Sequence, residues 1–407
     1  MRRKVKRYKV NYSKFILSVI VVMVLTATMI YAYKYFSSKE NNKINPYNDT
    51  SKINNKEEEK PKEPEEYTLK ISAGGDLLIH DTVFKSVKNN NGTYNFDPIF
   101  EKIKYVFEES DLSMINLEVP VAGNIFAPSN YPNFNSPVEL LDGVKNMGIE
   151  VVSTANNHAL DKGLKGLQET IKNAELKELK IVGTYLTDDT KPLIIEKNNI
   201  KVGIASYTYG TNGIPIPKAA PYCVNIIDKD SMLKDINYMK EQQADFIIFS
   251  MHFGQEYQTT QNKTQEELVN FLVNNGVDIV FGSHPHVPQP YEIKEVELEN
   301  GLKKEAYVVY SLGNFVSNQV DYYTKLGGIA TVTVSKKGDD KKIVDNKVTP
   351  IYTELKRVNG KSRFRVLPLE KEIYEYEKGI TTYSTTEYNS MKKMLGDTNY
   401  IYNKLQK

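Results

Sequence analysis

Between Tyr67 and Phe315 short β-like runs alternate with segments of helical periodicity, and nearly every β run ends in a polar cluster. TLKISAGGD opens the series. Ile99, Ile103, Val106 and Phe107 then recur at helical spacing behind Asp97 and Pro98, and Leu112 to Leu117 reads as strand. A helix near Pro137 to Met147 stops at Gly148, and Ile149 to Thr154 is β-like before ANNH. Further rounds are Leu164 to Leu176 with KIVG and KVGIASY, Met232 to Glu241 with DFIIFSMHFG, and Glu266 to Asn275 with VDIVFGSHPH. Such alternation predicts an α/β fold with strands buried between helices. After Phe315, GGIATVTV, KVTPIYT and FRVLPL are β-rich without long intervening helices, which predicts a closing sheet or small accessory lobe over 321–407. The residues from Thr385 onward are polar and tyrosine-rich and carry no interpretable motif.

Upstream the chain changes character. Residues 15–33, FILSVIVVMVLTATMIYAY, hold no charge. At about 1.5 Å per residue a helix of that length crosses roughly 30 Å of hydrocarbon. Seven basic residues and no acid precede it, from Arg2 to Lys14, so residues 1–14 are expected in the cytoplasm and all that follows Tyr33 outside. A cleaved signal peptide is the competing reading; the stretch is longer than a typical apolar core of ~7–15 residues and lacks a clear A-x-A site. Residues 34–66 are mostly Asn, Lys, Glu and Pro and read as a disordered tether. The formal charge is +2, and setting aside the seven amino-terminal cations leaves −5, which argues against an electrostatic nucleic-acid binder. Cys223 is the only cysteine, so no intrachain disulfide forms.

The five histidines, His80, His158, His252, His284 and His286, all follow predicted β runs. In open α/β sheets polar groups at the carboxyl ends of strands converge on the ligand crevice. The same loops carry Asp76, Asn116, Glu118, Asn156, Asn157, Asp161 and Glu256. Imidazole mixed with carboxylate and amide oxygen favours a transition metal, and the ligand count allows two ions, with manganese, zinc or iron as the expected identities. Taken singly, Asp76 also reads as a turn residue, and Asn157 and His158 as helix caps. His284 and His286 flank Pro285, and strict alternation along an extended segment would put both rings on one side.

GGD, NLE, NNH, MHFGQEY, GSHPHV and YSLGNF, in this order over about Tyr67 to Asn318, resemble the poly-γ-glutamate capsule synthesis (CapA-like) family, which is related to the calcineurin-like metallophosphoesterases. The resemblance implies a layered αββα sandwich over 67–320. It also implies a surface-anchored role in making, exporting or attaching poly-γ-glutamate, with the polymer or its membrane synthetase as partner. Carried over position by position, it makes Asp76 and His286 ligands of one metal, Asn157, His252 and His284 ligands of the other, and Glu118 the bridge. His158 becomes the candidate proton donor and Asp161 the group orienting it. Asn314 and Glu256 are expected to contact substrate or support the ligands. Two departures stand out: Leu78 occupies the place of the histidine in the superfamily's Asp-x-His, which leaves either His80 as a substitute ligand or a weak or empty first site, and glutamate replaces aspartate at 118. A non-catalytic, metal-stabilised accessory subunit and a secreted nucleotidase are the alternative readings.

Overall fold

Alternation along each strand sorts the apolar side chains into separate cores, and four layers follow from it. The computed structural model describes residues 64–297, 301 and 303–406; the expected cytoplasmic tail, the 15–33 anchor and most of the tether lie outside the described residues. Among the described residues no helix is long and apolar enough to cross a membrane. In chain order the strands are β1 (Glu66–Leu77), β2 (Leu112–Leu117), β3 (Val151–Ser153), β4 (Lys180–Val182), β5 (Leu193–Lys197), β6 (Ile200–Thr208) and β7 (Phe246–His252). They continue with β8 (Ile279–Ser283), β9 (Tyr291–Glu297), β10 (Lys303–Val309), β11 (Asn314–Val316), β12 (Leu326–Lys337), β13 (Asp340–Val358) and β14 (Lys361–Pro368).

One sheet runs β14-β13-β12-β1-β2-β3-β4, with β11 also pairing β1, and the other runs β5-β6-β7-β8-β10-β9. Strands β1 to β4 are mutually parallel, as are β6, β7, β8 and β10, so the carboxyl ends of both parallel sets carry the connecting loops. Ile71, Met114 and Val332 from the first sheet meet Ile204, Ile248 and Ile279 from the second in one buried core. The opposite faces are covered by helices. Ile115, Leu117 and Val152 pack under Leu140, Leu141 and Val144 of the helix Leu140–Asn146. Ile247, Phe249 and Met251 pack under Ile236 and Met239 of Lys229–Glu241 and Val269 and Leu272 of Lys263–Asn274. The described part is thus a helix–sheet–sheet–helix sandwich, as the alternation and the resemblance implied.

Three segments take a definite form. Of the two readings of the β-rich segment after Phe315, the closing sheet describes it: β12 pairs antiparallel with β1 from Glu66–Lys337 to Gly74–Ile329, so β12 to β14 are three of the eight strands of the first sheet. The tether ends sooner than expected, since Glu66 already belongs to β1 and accepts a hydrogen bond from Ser335 Oγ at 2.5 Å. The polar terminus is a helix, Thr385–Tyr402, started by a capping box in which Ser384 Oγ accepts from Glu387 N and the Glu387 carboxylate accepts from Ser384 N.

Strand β1 does not end at the paired glycines but runs through Asp76 to Leu77, with a register shift between Gly74 and Asp76. That shift depends on close backbone approach. Asp76 N donates to Gly313 O at 2.9 Å, and a Cβ on Gly75 would lie 1.9 Å from the same oxygen. Gly75→Ala is therefore expected to cost about 3 kcal/mol by forcing β1 and β11 apart, measured as a lowered urea midpoint.

Asp235, in the helix Lys229–Glu241 that covers the second sheet, is 7% exposed and accepts from Tyr207 Oη of β6 at 2.6 Å, and burial pushes its carboxyl up to about 6. Because the folded value is raised, the contribution is complete below the unfolded carboxylate range and is lost as pH rises through about 6. Asp235→Asn keeps an acceptor for Tyr207. It is expected to flatten the stability profile between about pH 4 and 7 and to add about 1–3 kcal/mol at pH 8, read by urea titration.

Candidate metal centre

The carboxyl ends of β1, β2 and β3 from one sheet and β7 and β8 from the other meet at one edge of the sandwich. Asp76 and His252 lie within the last residues of their strands, whereas Glu118 and His284 follow directly on theirs and Asn157 and His286 stand three to four residues beyond. All six are buried. Ligand atoms of Glu118, His252 and His284 lie within 4.8 Å of one another, as do those of Asp76, Glu118 and His286, so Glu118 belongs to both groups.

Asn116 holds the two carboxylates in place. Its Nδ2 donates to Asp76 Oδ1 at 2.8 Å and to Glu118 Oε2 at 3.3 Å, and its Oδ1 accepts from Ser153 Oγ at 3.2 Å. Ser250 Oγ on β7 lies 3.1 Å from Ser153 Oγ, which extends this polar chain across both sheets. Asn156 braces the loop, donating to Leu117 O at 2.8 Å and accepting from His158 N at 3.2 Å.

The convergence of His284 and His286 has a cause other than strand alternation. Strand β8 ends at Ser283, and both residues adopt left-handed backbone, with φ of 99° at His284 and 60° at His286. Such conformations cost on the order of 1–3 kcal/mol each in a non-glycine residue and persist where surrounding structure over-determines them. The bend brings His286 Nδ1 to 3.1 Å from Asp76 Oδ2, with the two imidazole centroids 6.0 Å apart.

Electrostatically the cluster is uncompensated. Burial, then the adjacent charge of Asp76, drives the Glu118 carboxyl well above the usual range. Burial likewise holds His252 well below its ordinary value and His284 down to about 3, the neighbouring imidazoles adding to the effect. These downward shifts favour the neutral ring at His252 and His284, the form in which histidine ligates metal. Glu118 Oε1 lies 3.4 Å from His252 Nε2 and 3.8 Å from His286 Nε2, yet it accepts no hydrogen bond, and His284 Nδ1 is also buried without a partner. Buried polar atoms left so cost about 1–3 kcal/mol apiece. A divalent cation shared by these atoms removes that cost, so the residues present fit a metal.

His158 stands beside the cluster. Its Nδ1 lies 2.8 Å from Asp161 Oδ2, which also accepts from Phe134 N at 2.8 Å. His80 joins neither ligand group: its Nδ1 accepts from Asn318 N at 3.2 Å, and the ring meets the edge of Phe134 with centroids 5.2 Å apart. Both imidazoles, with Asn157, His286 and Glu256, line a cleft of about 770 Å³. Glu256 belongs to neither ligand group, although its charge adds to the upward shift at Glu118. Asn314 sits elsewhere in role. Its Nδ2 donates to Ser317 Oγ, Gln319 Oε1 and Thr324 O at 2.8–3.0 Å, pinning the loop that leads into β12.

Sequence reading missed Ser153, Ser250, Ser283, Tyr209 and Asn212. The serines were detectable as hydroxyls at the ends of otherwise apolar strands; Tyr209 and Asn212, in YGTNG, carry only a turn signature.

Comparison with known proteins agrees with the motif reading. The chain is 25% identical over 389 residues to the PGA biosynthesis protein CapA of Bacillus subtilis (strain 168), spanning 92% of this chain and 93% of that one. It is 27% identical over 354 residues to the capsule biosynthesis protein CapA of Bacillus anthracis, spanning 82% and 77%. Among solved structures, the NAD nucleotidase of Haemophilus influenzae aligns with a TM-score of 0.46 at 12% identity, covering 82% of this chain and 63% of that one. The calcineurin-like phosphoesterase YfkN of Bacillus subtilis aligns with a TM-score of 0.41 at 16% identity, covering 83% and 99%. The profile of the bacterial capsule synthesis protein PGA_cap family matches residues 70–319, more than half of the sequence, and the chain belongs to that family.

Proposed function

We propose that this protein is a membrane-anchored, extracytoplasmic component of poly-γ-glutamate synthesis, export or attachment, and that the buried cluster is a two-metal hydrolase-like site. The observation carrying this reading is Glu118, whose unpartnered Oε1 belongs to two ligand groups at once. Asp76, Glu118 and His286 would hold one ion, and Glu118, His252, His284 and Asn157 the other. Such a pair supplies Lewis acidity toward a phosphoryl or carbonyl oxygen and makes water acidic enough to serve as nucleophile near neutral pH. The protein's own groups do the rest. Asn116 keeps the carboxylates in register. Ser283 Oγ, 3.0 Å from His252 Nδ1, can accept that nitrogen's proton and so leave Nε2 free to ligate. Asp161 holds Nδ1 of His158, which aims the imidazole as proton donor to a leaving oxygen.

The charge-free 15–33 stretch serves as anchor and 34–65 as spacer, keeping the domain within reach of a membrane synthetase. Elemental analysis of the purified full-length protein tests the reading, together with polymer output of cells carrying His284→Ala and His286→Ala. Two bound ions and lost output are expected; a metal-free protein with intact output in the double variant refutes it. His158→Ala is expected to retain both ions and lower activity about 10²- to 10⁴-fold. Unchanged polymer output in that variant would instead favour a structural metal in an accessory subunit.

A further inference from the structure

The turn after β6 enters the site from the second sheet with no histidine and no acid, yet it touches the groups on which one metal position depends. Asn212 Oδ1 accepts a hydrogen bond from Asn157 Nδ2 at 3.1 Å. Tyr209 lays its ring over His284 at 4.5 Å between centroids and stacks nearly parallel to His252 at 6.3 Å. An asparagine carboxamide has one oxygen able to ligate and one nitrogen that is not, and the two ends swap by a half-turn of the side chain. With Nδ2 committed to Asn212, Asn157 must present Oδ1 to the cluster, where it lies 2.9 Å from His252 Nε2.

We infer that Asn212 is a positioning residue that locks the Asn157 carboxamide with its oxygen toward the cation position formed with Glu118, His252 and His284. The inference rests on the metal reading above and names a determinant of it outside the ligand set. Asn212 itself has φ of 49°, a backbone conformation that asparagine, aspartate and glycine adopt readily and alanine does not. Glycine therefore deletes the side chain without straining the turn. Aspartate keeps an oxygen to accept from Asn157.

The test is a titration of the purified full-length protein and its Asn212→Gly and Asn212→Asp variants with Mn²⁺, following free Mn²⁺ by electron paramagnetic resonance. Ligand-field absorption of bound Co²⁺ then reports the coordination, and melting is recorded in the metal-free state. Asn212→Gly is expected to weaken one of two sites by about 10- to 100-fold and to alter the Co²⁺ spectrum, leaving the other site and the metal-free melting temperature as in wild type. Asn212→Asp is expected to restore the weakened site. Wild-type affinity at both sites in Asn212→Gly, no rescue by aspartate, or a metal-free melting temperature lowered as much as the affinity would overturn the positioning role while leaving the metal site standing. A wild-type protein that binds neither ion overturns both.

Discussion

Glu118→Gln is expected to raise the stability of the metal-free protein and to abolish its response to metal. The carboxylate is fully buried, faces the charge of Asp76, and leaves one oxygen without a hydrogen bond, so in the absence of a cation it opposes folding. Its folded value is raised. Its stabilising contribution therefore belongs to pH below the unfolded carboxylate range and is lost as pH rises through the folded value, so ionising this group is a net cost to the metal-free fold. Glutamine is isosteric, keeps an oxygen for the Asn116 amide, and removes the charge. A cation held by the wild type reverses the balance: at a thousandfold excess over Kd each site adds about 4 kcal/mol. Calorimetric melting with and without chelator separates the cases. Wild type should gain strongly on metal addition, and Glu118→Gln should start higher and gain little. Equal gains in both proteins would remove Glu118 from the ligand set, and with it the two-ion arrangement.

Tyr402→Ala is expected to cost about 3–5 kcal/mol although only five residues of the sequence follow it. Tyr402 closes the helix Thr385–Tyr402, is 1% exposed, and belongs to the core between the two sheets. Its hydroxyl donates to Leu312 O at 3.0 Å, an oxygen that also accepts from Gly328 N at 2.9 Å, and a Cβ on Gly328 would lie 2.5 Å from that hydroxyl. Truncation to alanine opens a cavity and withdraws a bond from the segment leading to Gly313 and Asn314, whose neighbour in β1 is Asp76. Tyr402→Phe removes only the hydroxyl and is expected to cost about 1–2 kcal/mol. Guanidinium unfolding of both variants gives the comparison. An alanine variant as stable as the phenylalanine one would mean that the terminal helix is not anchored through this ring.

Much of the site was readable because its chemistry sits at strand ends, where a short apolar run followed by a carboxylate, amide or imidazole is a local pattern. Asp76, Glu118, Asn157, His252, His284 and His286 were all named from that pattern, and they form one buried cluster. His284 and His286 converge for a different reason. Alternation along an extended segment does not bring them together; two left-handed residues do, and nothing local in SHPH announces a positive φ. His80 was offered as a replacement ligand because it is a nearby histidine, yet its Nδ1 is taken by the backbone of Asn318, 238 residues away in sequence. The carboxyl-terminal helix was missed despite the S-x-x-E box at Ser384 and Glu387, a signal that was present but unaccompanied by a clear apolar stripe.

By itself the sequence determined most of the strands and helices, because apolar periodicity and capping act over a few residues. It also determined that carboxylate, amide and imidazole side chains would stand at strand ends. Tertiary structure alone decided that β12 to β14 complete the first sheet, that Glu118 is common to both ligand groups, and that Asn212 faces Asn157. Those facts depend on pairing and backbone bends between residues tens to hundreds of positions apart, which the burial of two sheets against each other selects and no short stretch of chain encodes.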